Sequence, residues 1–284
     1  MTATPMTAQD PVPGPPRPAV RVTLAQLSVG EDLAANRRQA LAAVDAAAAH
    51  GADLLVLPEY SSSFDPRGVG RGHAEPLAGE YVEALRDRAA ATGVAVIAGT
   101  TLPGERPDLA INVVVAIDGA GAIVGAYRKV HLYDAFGQRE SDRLEAGPAD
   151  APPVVLAVAG LRFAVMTCYD LRFPEMARRL IDAGGQVLVV PAAWAAGALK
   201  AEQWRALAIA RAIENTSVVI AVGQAGRGVV GRSLIVGADG VVHLELDAVP
   251  AVVSADVDPV ALAAVRERNP SLANRRYAVV PREA

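Results

Sequence analysis

Two stretches of this chain repeat one another. Asp53-Leu54-Leu55-Val56-Leu57-Pro58-Glu59 and Gln186-Val187-Leu188-Val189-Val190-Pro191-Ala192 each run from a polar residue through four aliphatic residues to a proline. Each is followed later by two apolar runs joined at an Asp-Gly turn, Asp118-Gly119 in one case and Asp239-Gly240 in the other. A short, unbroken apolar run suits a strand covered on both faces. Meeting it twice, each time upstream of a hairpin, predicts a duplicated α/β/β half: two mixed β-sheets packed face to face with helices outside, related by a pseudo-twofold axis. Such a duplication brings the ends of matching strands near one another, and α/β proteins place their sites at the C-terminal ends of strands.

The intervening segments fit that plan. Ala19 to Leu27 alternates Val20, Val22 and Leu24 against Arg21 and Thr23, as a strand does. Glu31 to His50 carries Leu33, Leu41 and Val44 at helical spacing, with Gly51 behind it as a C-terminal signal. A second helix is predicted over Glu80 to Thr92, stopped at Gly93, then a buried strand from Val94 to Ala98. Ile111 to Ile117 and Ile123 to Tyr127 form a hairpin that makes the sheet mixed. Past a polar segment, Asp134 to Pro148, strands are predicted at Val154 to Val158, Leu161 to Met166, Val187 to Val190 (ended by Pro191) and Ser217 to Val222. Helices open at Pro174, stopping at Gly184-Gly185, and span Leu199 to Asn215, where Trp204, Leu207, Ala208 and Arg211 fall three and four apart. Arg232 to Leu246 is a second hairpin, Ala251 to Asp256 the last strand and Pro259 to Arg268 the last helix.

Residues 1–18 are Pro-rich, with neither the basic start nor the apolar centre of a secretion signal, and read as a disordered tail. Residues 19–268 read as one domain and 269–284 as a C-terminal extension without periodicity. The chain has 284 residues, 52% of them hydrophobic but only 4% aromatic, so its core must be packed with Ala, Val and Leu. A net charge of -4 with acids and bases interspersed gives no electrostatic case for nucleic acid or an anionic membrane, and no apolar run approaches spanning length. One cysteine cannot form an internal disulfide, so a reducing, cytoplasmic setting is expected.

That cysteine, Cys168, falls between the run ending at Met166 and the helix opening at Pro174. A thiol there lies near unpaired N–H groups and the positive end of a helix dipole, which favour the thiolate. The bland alternative is a small buried hydrophobe. Attack on an acyl group also needs a base, donors for the oxyanion and a proton for the leaving group. Of four histidines, His50, His73, His131 and His243, none sits at a strand end beside an orienting acid, and His131 comes closest. Glu59, ending the first repeated strand, is the better base: a carboxylate in an apolar pocket gains proton affinity, restrained by a nearby ammonium such as Lys129. Singly, Glu59 reads more readily as a solvated residue after a strand and Lys129 as a surface cation at a hairpin end. No Cys or His cluster marks a metal site, and no cofactor is expected. Gly226 to Gly231 satisfies GxGxxG but precedes a strand rather than a helix N-terminus, and reads as a loop.

Together, Pro58-Glu59-Tyr60, Arg128-Lys129-Val130-His131-Leu132 and Cys168-Tyr169-Asp170-Leu171-Arg172-Phe173-Pro174-Glu175 resemble the nitrilase (carbon–nitrogen hydrolase) superfamily, which carries a Glu-Lys-Cys triad in this order. The resemblance spans Ala19 to about Arg276. It implies a four-layer αββα sandwich and a thiol-dependent amidase that cleaves linear amides through a cysteine thioester, releasing ammonia. It implies Glu59 as general base, Lys129 as oxyanion-stabilising lysine, Cys168 as nucleophile and the Tyr169 N–H as second oxyanion donor. Glu140 matches a second glutamate that holds the lysine and helps place substrate or water, although the segment between Lys129 and Glu140 is shorter than in many relatives. A homodimer or higher homo-oligomer, with the C-terminal tail reaching across, is implied as well.

The Cys168 to Glu175 string looks most like the Nit and omega-amidase branch, whose substrates are small carboxylated amides. Arg172 either binds such a carboxylate or forms an ion pair with Asp170 or Glu175. Trp194 and Tyr60 are further candidate substrate contacts, with Trp194 and Trp204 either packing or lining the pocket. N-carbamoyl amino acid hydrolases are the nearest rival, but they tend to carry paired arginines where Leu171 takes the first position here. A nitrilase and a catalytically silent binding or assembly module are the remaining alternatives, the last disfavoured by intact Glu59, Lys129 and Cys168.

Overall fold

The computed structural model describes residues 19–282, and the Pro-rich stretch 1–18, expected to be a tail, lies outside the described residues. The first half contains β1 (Val20–Gln26), α1 (Leu33–Ala49), β2 (Leu54–Val56), α2 (Glu80–Thr92), β3 (Ala95–Pro103), β4 (Ala110–Ile117) and β5 (Ile123–Arg128). The second contains β6 (Val155–Val158), β7 (Leu161–Val165), α3 (Pro174–Asp182), β8 (Val187–Ala192), α4 (Lys200–Asn215), β9 (Val218–Gly223), β10 (Leu234–Val236) and β11 (Val242–Glu245). The strand β12 (Ala251–Val257) and the helix α5 (Pro259–Arg268) follow.

These strands form two six-stranded sheets, ordered β12-β1-β2-β3-β4-β5 and β11-β10-β9-β8-β7-β6. In the first, β1, β2 and β3 are parallel, and β12, β4 and β5 run antiparallel to their neighbours. The second repeats this with β7, β8 and β9 parallel and β6, β10 and β11 antiparallel. The duplicated sequence is therefore β2 and β8, the middle strand of each parallel trio. One asymmetry is the edge beside the trio, which β6 supplies to its own half while β12, from the end of the chain, supplies the other.

Burial explains why the repeated strands read as unbroken apolar runs. One core cluster joins Val22, Leu24, Val56 and Ile97 of the first sheet to Phe163, Val165 and Val189 of the second, and takes in Leu180 of α3 and Trp204 and Ala208 of α4. A separate cluster seats α1 and α2, through Ala40, Val44, Leu85 and Ala89, on Leu55, Leu57, Val96 and Val115. Helices thus cover both outer faces, giving the αββα sandwich. Alanines at the helix contacts let helix and sheet approach closely, which suits a core with few aromatic residues. Local signals set the ends: Asp32 caps α1 by accepting from the Ala35 N–H, and α2 stops at Gly93 in the left-handed conformation.

Two boundaries differ from expectation. Pro191 does not end its strand, because β8 continues to Ala192. The Pro191 carbonyl accepts from Thr167 Oγ1, on the side where β7 has already ended at Val165, so the missing N–H breaks no ladder bond. β3 runs on through Gly99, Thr100 and Thr101, which stay paired with β4 although their composition breaks the apolar run. Among the described residues no helix is long and apolar enough to cross a membrane. In the C-terminal extension, Arg275 donates to Asp182 at the end of α3 and Leu272 packs on the core.

Candidate active site

Beyond β7 the chain turns at Thr167 into a 3-10 helix, Cys168–Arg172, and then into α3 with Pro174 in its first turn. Cys168 stands at the head of this turn with φ +48°, a left-handed conformation that costs a β-substituted residue about 1–3 kcal/mol. Asp170 holds the turn in place. Its carboxylate accepts from the Thr167 N–H, the Tyr127 hydroxyl and the His131 N–H, and lies 2.7 Å from His131 Nδ1. The Tyr169 N–H sits in the first turn, where N–H groups have no partner within a helix.

Glu59 reaches the same place from the first sheet, three residues past β2. It is 1% exposed, and Tyr60 after it is also left-handed, at φ +55°. Gly99 on β3 makes room for this corner: a Cβ there would lie 2.5 Å from Glu59 Cα. The Glu59 carboxylate accepts from Asn112 Nδ2 at 2.7 Å, Lys129 Nζ at 2.9 Å and the Ala193 N–H at 2.7 Å, while Gln224 Nε2 donates to its backbone carbonyl.

Lys129 follows β5, its N–H still paired with the Asn112 carbonyl, and is 1% exposed. Its ammonium bridges Glu59 to Glu140, 2.9 Å from each. Glu140 in turn accepts from the Tyr60 hydroxyl and the Tyr133 N–H. Burial pulls the Lys129 pKa down, but Glu140 and Glu59 outweigh it and hold the lysine charged well above its ordinary range. Cys168 goes up as well: burial and the nearby Glu59 carboxylate raise it against the opposing pull of Lys129. The thiolate expected from the helix end is therefore not the resting form. Two carboxylates around one ammonium leave the site net negative, and the thiol keeps its proton.

The structure thus brings Glu59, Lys129, Cys168, Glu140 and Tyr60 to one cavity of about 770 Å³ counted to its open mouth, a size that suits a small organic ligand. Tyr60 lines it with its hydroxyl turned onto Glu140. Gly228, from the glycine-rich loop, lines it too, and that loop leads into β10 rather than into a helix. A smaller cavity shares Cys168 and is lined by Tyr133, Tyr169, Trp194 and Lys200 among others. Trp194 both lines it and packs 5.3 Å from the fully buried Trp204 ring.

Two expectations are corrected. His131 does sit beside an acid, Asp170, but its ring stacks on Phe173 and lines neither cavity at Cys168. Arg172 pairs with neither Asp170 nor Glu175: Asp170 is committed to Tyr127 and His131, and the guanidinium donates to Gln203 and lies over Trp194. Glu31, Asp65 and His73 place possible ligand atoms within 4.8 Å of one another, a grouping invisible in sequence, although Asp65 is taken by Arg67, whose hydrogen bonds hold its carboxyl at about pKa 2.

Sequence reasoning missed Asn112, Ala193, Gln224, Gly99 and Lys200. Only Ala193 carried a signal, since the repeat aligns Glu59 with the neighbouring Ala192. The others act through side chains or close approaches that no spacing reveals.

The carbon-nitrogen hydrolase family profile matches residues 21–267. A deaminated glutathione amidase of Escherichia coli is 39% identical over 234 residues, covering 82% of this chain and 88% of the relative. A solved carbon–nitrogen hydrolase superfamily protein of Xanthomonas campestris, with an arsenic adduct in its active site, superposes with TM-score 0.82 at 29% identity over 93% of this chain and 99% of that one. An amidase of the nitrilase superfamily from Nesterenkonia superposes with TM-score 0.75 at 25% identity over 92% and 98% of the two chains.

Proposed function

The chain belongs to the carbon-nitrogen hydrolase family and hydrolyses amides through a cysteine, and from that premise we propose that Cys168 is the nucleophile, Glu59 its base and Lys129 its oxyanion donor, acting on a small carboxylated amide. The observation that carries this reading is the convergence of Glu59, Lys129 and Cys168, from two sheets and three separate segments, on one buried point.

The chemistry follows from the charges. Because the thiol rests protonated beside the Glu59 carboxylate, proton transfer accompanies attack: Glu59 takes the proton as the sulfur bonds to the amide carbon. The oxyanion that forms meets the Lys129 ammonium and the Tyr169 N–H, donors already fixed in position. Glu140, held by Tyr60 and Tyr133, keeps Lys129 charged and aimed. Glu59 then returns its proton to the departing nitrogen, ammonia leaves, and a thioester remains. Water, giving a proton to the same carboxylate, attacks the thioester carbon and releases the acid with the regenerated thiol. The Ala193 N–H and Asn112 hold Glu59 through both halves.

A carboxylated substrate is supported by the relative named deaminated glutathione amidase and by the cationic Arg172 four residues past the nucleophile. The test is ammonia release from a panel of carboxylated amides, N-carbamoyl amino acids and nitriles, with Cys168→Ala as control. Release from the first group, abolished in the variant, supports the reading. Silence across the panel, or an active variant, removes it in favour of another substrate or a binding role.

A further inference from the structure

Two cations near Cys168 have hydrogen-bond partners that are both neutral: Lys200 shares a cavity with the thiol, and Arg172, which lines neither cavity at Cys168, neighbours Lys200 across the Phe136 ring. Lys200, the first residue of α4, is only 6% exposed, and its ammonium donates to the Tyr133 hydroxyl at 2.8 Å. Arg172 ends the 3-10 helix that begins with Cys168, and donates through Nη2 to Gln203 Oε1 at 2.7 Å, while its Nε is buried without a partner.

The two share a roof. The Phe136 ring centroid lies 3.4 Å from the Lys200 ammonium and 5.4 Å from the Arg172 guanidinium, which also lies 4.9 Å from the Trp194 ring and 6.0 Å from that of Tyr169. Burial and the nearby Arg172 charge pull the Lys200 pKa down, with only the Cys168 side opposing. A buried ammonium next to a second cation is unfavourable unless an anion answers it. The cavity Lys200 lines is also lined by Cys168, Tyr169 and Trp194, so an anion placed there is attached to whatever the sulfur attacks.

We propose that Lys200 and Arg172 form the subsite for the remote carboxylate of the substrate, with Lys200 the specificity-determining member. This rests on the amidase reading above and adds to it the group that chooses among amides. The rings of Tyr133, Phe136 and Trp194 hold the two cations in place before substrate arrives, Trp194 from the buried side and Phe136 from the side that faces solvent.

The experiment compares kcat/KM for ammonia release from monoamides of succinic, glutaric and adipic acids with that from neutral amides of the same chain lengths. It is run on the wild type, Lys200→Met, Lys200→Arg and Arg172→Met. The wild type is expected to favour a carboxylated amide, and Lys200→Met to lower that preference about 10- to 100-fold, as for the loss of a charge-assisted hydrogen bond. Lys200→Arg should recover part of the preference. A preference ratio unchanged in Lys200→Met, with both substrates slowed alike, overturns the assignment and makes Lys200 a packing residue. A wild type that prefers neutral amides overturns it while leaving the amidase reading standing, and one that turns over neither overturns both. Should Lys200→Met fail to fold, Arg172→Met carries the same comparison. Protection of Cys168 from alkylation by glutarate, expected in the wild type and lost in the variant, reads the subsite without catalysis. Equal protection in both overturns it.

Discussion

The Asp170 carboxylate lies 2.7 Å from His131 Nδ1, and its other oxygen accepts from the Tyr127 hydroxyl, so one side chain of the second half clasps the end of the hairpin of the first. Lys129 and Cys168 each lie two residues before a partner in that clasp. The contact therefore fixes the lysine against the thiol.

Asp170→Asn keeps the shape of the clasp but puts an amide where Thr167, Tyr127 and His131 present donors. Leaving buried donors poorly matched should cost about 1–3 kcal/mol in urea unfolding. Loosened placement of Lys129 should lower kcat by about 100-fold with a smaller change in KM. Full activity at reduced stability would make Asp170 a stabilising residue only.

Gly99→Ala tests how tightly Glu59 is placed. The new methyl would lie 2.5 Å from Glu59 Cα and 2.7 Å from the Pro58 carbonyl, so the catalytic corner must shift. Overpacking of this kind costs about 1–3 kcal/mol, and a displaced base should slow turnover by about 100-fold. Thermal unfolding and kcat measured together check it, and a wild-type rate would show that the corner yields without consequence.

The resting thiol makes a pH prediction with a definite sign. Burial and the Glu59 carboxylate raise the Cys168 pKa, so wild-type alkylation by iodoacetamide should climb steadily through the alkaline range with no plateau near neutrality. Glu59→Gln removes the negative neighbour and leaves Lys129, so the thiolate must form at lower pH in that variant, although it should not hydrolyse amide. A titration that moves upward or stays put would mean that Glu59 is not the anion felt by the thiol.

Lys129→Met leaves Glu59 and Glu140 buried without the ammonium between them, which should destabilise the fold by about 3–5 kcal/mol. In the wild type the folded pKa of Lys129 is raised, so its contribution is fully present below the unfolded value of about 10.4 and lost as pH rises through the folded one. Adding Glu140→Gln to Lys129→Met removes one of the two facing charges and should recover part of the stability but none of the turnover. Urea midpoints and ammonia release across the wild type and the two variants separate the two roles. Equal stability of single and double variants would argue against a coupled triad of charges.

The sequence by itself determined the architecture. Strands buried on both faces must be apolar throughout, so β2 and β8 announce themselves as runs, and their repetition, with hairpins at Asp118-Gly119 and Asp239-Gly240, carries the two-sheet plan. Capping chemistry is equally local, as Gly93 and Pro174 show. The chain order of Glu59, Lys129 and Cys168 could be matched to a family pattern because each stands just past a strand end. Only the tertiary structure decided how these groups meet. The protonation of Cys168 depends on two carboxylates and an ammonium drawn from segments far apart in the chain, and electrostatic influence follows distance in space. For the same reason Asn112, Gly99 and Lys200 were silent in the sequence: an asparagine in a strand, a glycine within one and a lysine opening a helix look ordinary until folding sets them against the same buried point.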